Sequence, residues 1–565
     1  MRLGRGALAA AVVASLGAAS SLRCSSGNAD TCDADCIDVV PAPLAVALTP
    51  AEVYAKIGDV PTVKVSLGRG PGGDGDVVMS ISGASGVSAD PLTIAAKDTT
   101  GTLVLHVDPN AIPQGDATLT VNAQATSATA SATLTLHVAG ASGALDTSFG
   151  AGGVVDLTQG AGNDTASALV ALQDTILVGG TRVTAGDAGA ASSMMLARLA
   201  ATNGALDNTF GSGGFTFASG ELASIAPLSD GRVFAVGDLR ETKASIAAYR
   251  FLASGALDPS YAVVTSLSGG DDLARSGAVQ PGGQLVMAGS ADDAGALALA
   301  RYTQSPPLPD SGSDADSASD SASDSASDSA SDSDSDSDSD SASDSASDSP
   351  PAPTSVLDPT FGDGGVVLSL LPKPRAQANA LLVAADGSLY ALGFQRDTST
   401  DLVALHYGVN GAPDPSFADG GLLSVPLAST EGATAALLQP DGSIIVASDD
   451  ANTARIVRVL PGGALDTSFA TAAFATSTRA LAIARDPATG ALLVGGSSGA
   501  QCLLARLQPG GALDPAFASQ GVLAITRGDA CSVAAIGVQD DGRIVVAQTV
   551  TTGGASSVVV ARYWP

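Results

Sequence analysis

Short apolar runs, punctuated by Gly, Asp, Asn and Pro, recur along almost the whole chain from residue 43 onward. In the first part they alternate strictly, as in Leu44-Ala-Val-Ala-Leu48, Thr62-Val-Lys-Val-Ser66, Val77-Val-Met-Ser-Ile81 and Leu103-Val-Leu-His-Val107. Ala117-Thr-Leu-Thr-Val121 and Ala132-Thr-Leu-Thr-Leu-His-Val138 close the series. A period of two places one apolar face on each strand, so these segments predict an antiparallel β-sandwich of immunoglobulin type over 42–140. His106 and His137 lie on these strands among apolar residues and read as packing or edge residues rather than ligands.

From Leu145 a second pattern takes over. Leu145-Asp-Thr-Ser-Phe149 returns as Leu206-Asp-Asn-Thr-Phe, Leu257-Asp-Pro-Ser-Tyr, Leu357-Asp-Pro-Thr-Phe, Pro413-Asp-Pro-Ser-Phe, Leu465-Asp-Thr-Ser-Phe and Leu513-Asp-Pro-Ala-Phe. After each marker the reading is a first strand such as Gly153-Val-Val-Asp-Leu, then an apolar second strand ending in a tight turn. Those turns include Ser229-Asp-Gly231, Pro281-Gly-Gly283, Ala385-Asp-Gly387, Pro440-Asp-Gly442 and Asp540-Asp-Gly542. Gly supplies the positive φ that a tight hairpin needs. A third strand follows, and the fourth ends on Arg198, Arg250, Arg301, Arg458, Arg506 or Arg562, with His406 in that place in the fourth unit.

Four short strands in roughly 50 residues make one propeller blade, which must stack on neighbours to cover its faces. The fold class expected is therefore all-β, a seven-bladed β-propeller over 141–565 preceded by the small sandwich. An open solenoid would expose terminal faces and is the alternative. The opening Leu-Asp-x-Ser-Phe-Gly-x-Gly-Gly-Val, the Asp-Gly hairpin and the closing Ala-Arg-Leu resemble the delta-60 repeat. The resemblance covers about 145–565 and is fullest in repeats one, two and four. It implies an exported bacterial propeller scaffold and brings no catalytic motif. The Thr-Leu-Thr-Val and Thr-Leu-Thr-Leu strands likewise resemble exported bacterial Ig-like modules.

The third repeat spacing is stretched by a Ser/Asp-rich insertion, 305–354, bounded by Ser305-Pro-Pro-Leu-Pro309 and Ser349-Pro-Pro-Ala-Pro353. With almost nothing apolar to bury and dense like charge, it is expected to be disordered. It also inflates the net charge of −31, since residues 310–349 hold 13 Asp and no base. An acidic chain excludes nucleic acid as partner, because phosphate demands Lys and Arg.

Arg2 and Arg5, followed by an apolar Ala/Val/Leu run, form a secretory signal pattern over 1–23. Cys24 stands where a bacterial lipoprotein cysteine would, although Ser21-Leu-Arg23 departs from the usual lipobox; cleavage after Ala18-Ala-Ser20 is the alternative. Residues 24–41 read as a disordered tether. Cys32 with Cys36, and Cys502 with Cys531, are candidate disulfides in an oxidising compartment. The rival reading of Cys32 and Cys36 as a metal site lacks further ligands.

Catalytic motifs are scarce: no Gly-x-Ser-x-Gly, His-Glu-x-x-His, phosphate loop or dinucleotide fingerprint occurs. Each repeat instead sets an Arg eight or nine residues before an Asp, as in Arg198 and Asp207, Arg250 and Asp258, Arg458 and Asp466, or Arg506 and Asp514. The recurring aspartates are Asp146, Asp207, Asp258, Asp358, Asp414, Asp466 and Asp514. Two structural roles compete for them: an ion pair that fixes the turn between blades, or an Asx turn with their own backbone. Trp564 reads as an anchor of the last strand.

The function expected is thus an exported cell-surface or envelope binding or scaffold protein, with ligand contacts from non-repeated loops such as Thr181–Ser192 and the insertion. Its partner would be a surface protein or polysaccharide, the membrane would be met only through a lipid anchor, and the chain would be a monomer. No cofactor is expected, a diffuse Ca2+ interaction of the Ser/Asp tract being the alternative to a solvated spacer. The competing function is an exported hydrolase or lyase acting in the propeller channel.

Overall fold

The computed structural model describes residues 44–303 and 357–565, apart from 57–58, 71–72, 109–114, 161–162, 187–188, 428–431, 451–452, 471 and 473. The signal pattern, Cys24, the tether with Cys32 and Cys36, and the insertion lie outside the described residues. No helix among those described is long and apolar enough to cross a membrane.

Two sheets build the N-terminal part. The four-stranded one contains Leu44–Thr49, Thr62–Arg69, Thr100–Val107 and Val87–Ala89, in that order. The five-stranded one contains Glu52–Lys56, Thr129–Ala139, Gly115–Gln124, Val77–Ser82 and Leu92–Ile94. Alternation does what it predicts: Val63, Val65 and Leu67 are buried between the sheets with Leu103, Leu105, Leu119, Val121, Leu134 and Leu136. All six strands read from the pattern are present. Three further strands were not signalled, among them Glu52–Lys56, which pairs parallel to Thr129–Ala139.

From residue 154 the described residues form seven more sheets, six of four strands and one of three. The first contains Asn163–Ala171, Thr175–Gly186, Gly189–Ala200 and Phe215–Ser219 as an antiparallel meander. The next five follow along 221–265, 272–369, 375–427, 433–459 and 478–525, the one at 433–459 having three strands. The seventh combines Ala530–Val538, Ile544–Thr552 and Ala555–Tyr563 with Val154–Asp156 from the opposite end of the repeat region. That early strand pairs antiparallel with the last one, Val154 facing Ala561 and Asp156 facing Val559.

This pairing corrects the order of strands inferred from the repeat. In six of the seven repeats the segment after the marker is the outermost strand of the preceding sheet, not the first of its own; after Leu465 the described residues form no such strand. The Arg-bearing strand is therefore third in its sheet. The marker turn carries the chain back alongside that strand, so the repeat counted in sequence is shifted by one strand from the folded unit.

One apolar cluster fills each seam between successive sheets. Leu177, Met194 and Leu196 of the first sheet meet Val233, Ala235 and Ala247 of the second, and the remaining seams follow suit. The last cluster joins Val545, Ala547, Val558 and Val560 of the seventh sheet to Ile176, Val178 and Met195 of the first. Burial on both faces explains why middle strands such as Ala296–Tyr302 are buried throughout instead of alternating.

All seven sheets carry a bulge at the same place in the first strand, for example between Ala274 and Ser276. Opposite it stand Gly180, Gly237, Gly289, Gly393 and Gly496 in five sheets, where an added Cβ would meet a backbone carbonyl; at Gly289 it would lie 1.7 Å from the Leu273 oxygen. The turn glycines behave as read: Gly231, Gly283, Gly387, Gly442 and Gly542 have φ between 82° and 86°. Thr181–Ser192, expected as a loop, is instead mostly a hairpin arm. Its residues pair in register from Thr181 with Met194 out to Gly186 with Gly189, because small and β-branched residues run on past the sheet edge.

Candidate functional site: a repeated latch and the cleft beside His406

Each Leu-Asp marker folds the same way. The aspartate Oδ1 accepts the backbone N–H two residues on, and the Ser or Thr hydroxyl there where one exists; Asp146 with Ser148, Asp258 with Ser260 and Asp466 with Ser468 are examples. Oδ2 is left free to accept from the Arg of the third strand. Arg198–Asp207, Arg250–Asp258, Arg458–Asp466, Arg506–Asp514, Arg301–Asp358 and Arg562–Asp146 all form this bond, at Nε–Oδ2 distances between 2.6 and 3.0 Å. The two roles considered for the aspartates are therefore filled together, one by each oxygen.

The marker aromatic completes the unit. Guanidinium carbons of Arg198, Arg250, Arg301, Arg458, Arg506 and Arg562 stand 4.6 to 5.1 Å over the rings of Phe210, Tyr261, Phe361, Phe469, Phe517 and Phe149. Charge, hydrogen bond and ring quadrupole act on one cation. Donors from Ser468 and then Arg458 hold the Asp466 carboxyl down at about 2, and Thr209 lowers that of Asp207.

The free guanidinium nitrogens reach across the seams. Arg198 Nη1 donates to the Ala253 carbonyl of the second sheet, Arg301 Nη1 to Val409 of the fourth, and Arg562 Nη1 to Ala201 of the first. Two glutamines reinforce them. Gln280 accepts from Arg301 and donates to the Gly387 and Val409 carbonyls; Gln539 accepts from Arg562 and donates to Ala201. Cys502 and Cys531, joined in a disulfide, tie the sixth sheet to the seventh. Trp564 is buried under Arg543 at 4.6 Å, and its backbone N–H donates to the Ala144 carbonyl.

The fourth unit breaks the pattern. His406 Nδ1 lies 2.8 Å from Asp414 Oδ2, and the imidazole stacks on Tyr390 at 4.3 Å. Ser416 and then His406 hold the Asp414 carboxyl at about 2. The position of Gln280 is taken by Ala384: both open a hairpin in which their N–H and carbonyl are bonded in the same way, to Gln284 and Gly283 in one case and Ser388 and Gly387 in the other. A cleft of about 680 Å³ lies here between the fourth and fifth sheets, lined by Asp386, Tyr390, His406, Gln439, Gly442 and Arg485 among others. His406 Nε2 and Gln439 Nε2 have no hydrogen-bond partner among the described residues. His406 is an exception visible in the sequence; Ala384 is not, because that hairpin position varies, with Leu228 holding it in the second sheet. Of the other two histidines, His106 Nε2 lies 2.9 Å from Asp90, and His137 stacks on Tyr54.

Comparison with known proteins adds the following. Residues 439–469 match the family described as "Domain of unknown function (DUF5122) beta-propeller". No curated protein matches the chain. Among solved structures, it is similar to a quinonprotein alcohol dehydrogenase-like protein from Bacteroides thetaiotaomicron, at 10% identity over 91% of this chain and 96% of that one, with a TM-score of 0.27. It is also similar to the β-propeller domain of the Trilobed protease from Pyrococcus furiosus, at 8% identity over 71% and 95%, with a TM-score of 0.36. At such TM-scores these likenesses carry no argument of their own. The family match and the serial four-stranded sheets agree on a β-propeller fold.

Proposed function

We propose that this is an exported cell-surface or envelope protein that binds and displays rather than catalyses, built on a closed seven-bladed propeller with the Ig-like sandwich as spacer. The observation that carries the reading is the latch. The most chemically endowed recurring residues, seven Asp with six Arg and one His, are engaged with each other and with neighbouring sheets, which is the work of a scaffold. Export is supported by the N-terminal signal pattern and by a disulfide between repeats, a bond that persists in oxidising compartments. Ring closure is supported by the pairing of Val154–Asp156 with the final strand.

Cell fractionation with and without Cys24→Ala, read with N-terminal mass spectrometry, tests the placement. A diacylglycerol-modified Cys24 in membranes supports a surface lipoprotein, and a soluble product cut near Ser20 supports a released one. Retention in the cytoplasm with an intact N-terminus overturns the proposal.

A further inference from the structure

In six of the seven seams an arginine sits at the end of the third strand. In the third and seventh sheets its guanidinium joins a Gln carboxamide to fill the space up to the next sheet. Between the fourth and fifth sheets both are missing, replaced by His406 and Ala384. The carbonyls that Arg301 and Gln280 meet at the third seam, Val409 and Gly387, have counterparts here. The carbonyl equivalent to Val409 belongs to Pro461, since both follow the residue whose N–H donates across its hairpin, Gly408 to Ala412 and Leu460 to Ala464. The residue equivalent to Gly387 is Gly442, which lines the cleft. Asp386 lines it too, and the Ser388 N–H and hydroxyl hold its carboxyl below the usual range, so it is anionic at neutral pH.

The sixth and seventh sheets provide the control within the same chain. Their seam also opens into a cleft, of about 520 Å³, but there Arg506 is in place among the lining residues. The seam beside His406 is open and lacks the latch arginine.

We infer that the cleft beside His406 is a receptor site for a guanidinium group supplied from outside the chain, as free arginine or as an arginine side chain of a peptide. The internal group defines the ligand: Arg301 donates to one carbonyl, that of Val409, and pairs with a carboxylate, and a planar guanidinium repeats both contacts at fixed angles, which an ammonium satisfies less well. Arg485, the cation in the lining, is suited to a ligand that also carries a carboxylate. The inference rests on the binding reading above, but its failure would be distinct, since export and anchoring are read by fractionation and not by ligand.

The test is calorimetric titration of the matured full-length protein with L-arginine, N-acetyl-arginine amide and L-lysine. Arginine is expected to bind saturably with a Kd of about 1 mM or tighter, and lysine at least about tenfold more weakly. His406→Arg, which restores the internal cation, is expected to weaken arginine binding by about tenfold or more and to raise the melting temperature. Should that variant not fold, Asp386→Ala, in an exposed turn, is expected to weaken binding by a similar factor. Tighter binding of free arginine than of the amide assigns a role to Arg485; equal binding points to a peptide side chain as the natural source. Absence of saturable binding, equal affinity for lysine, or undiminished binding in the folded variants overturns the site.

Discussion

Arg562, in the last strand, donates its Nε to Asp146 Oδ2 of the first repeat at 2.8 Å, across 416 residues of chain. Both side chains are almost fully buried, at 1% and 0% exposure, and Arg562 is bonded further to Ala201 and Thr202 of the first sheet. The pair locks the end of the repeat region to its start. Asp146→Ala strands a buried guanidinium and is expected to cost about 3–5 kcal/mol in urea unfolding. Asp207→Ala removes the same pair where both partners are partly exposed, and is expected to cost about 1 kcal/mol or less. Equal losses would deny the closing pair its special place.

Asp238 gives the fold a pH dependence of the opposite sense to that of the latch carboxylates Asp414 and Asp466. It accepts the Ala274 N–H of the next sheet at 2.6 Å, with Arg275 at 3.3 Å and Glu221 and Arg240 also acting on it. Burial dominates and pushes its carboxyl up to about 6. Between the unfolded value near 3.8 and 6 the folded state keeps a proton the unfolded chain has lost. Its contribution is therefore complete below the unfolded value and fades as pH rises through 6. Asp238→Asn keeps an acceptor without the titration. Relative to that variant, wild type is expected to lose about 1–3 kcal/mol of stability between pH 4 and pH 7, measured by unfolding at each pH. A constant difference would contradict the assignment. Asp414 and Asp466, held at about 2, act only below pH 4 and lie outside this window.

The Cys502–Cys531 bond closes a separation of 29 residues across two sheets. In the chain-entropy account such a loop contributes about 3–4 kcal/mol. Replacing both cysteines by Ala is expected to lower stability by that order, with wild type under reductant matching the variant. A variant as stable as the oxidised protein would refute it.

Gly289→Ala is expected to cost about 1–3 kcal/mol, because the new Cβ strikes the Leu273 carbonyl of the bulged neighbour. Ser448 and Gln548 hold the equivalent place in the fifth and seventh sheets, so the strand pair can yield to a side chain at a cost. Thermal unfolding measures it; an unchanged melting temperature would mean the bulge is not tightly held.

Local chemistry was legible and pairing was not. Asp-Gly turns such as Ala385-Asp-Gly387 were evident because the φ requirement resides in one residue. The Arg and Asp of each latch were evident because they lie close along the chain. The strand after each marker was assigned to the wrong sheet, since hydrophobic pattern says that Val154–Asp156 is a strand but not which neighbour it meets. The repeated bulge leaves only glycines behind as a trace. The cleft beside His406 was marked in the sequence by His406 alone, because the hairpin position of Ala384 is not constant from sheet to sheet, Leu228 holding it in the second.

The insertion enters and leaves the fold at a single point. Tyr302 and Leu357 are bridged, Arg301 is bonded to Asp358, and strand Ala296–Tyr302 pairs directly with Val366–Ser369 beyond it. The two flanks belong to neighbouring strands of one sheet, and loop closure depends only weakly on length. Changes in the length of that tract are thus expected to cost the bracketing strands little.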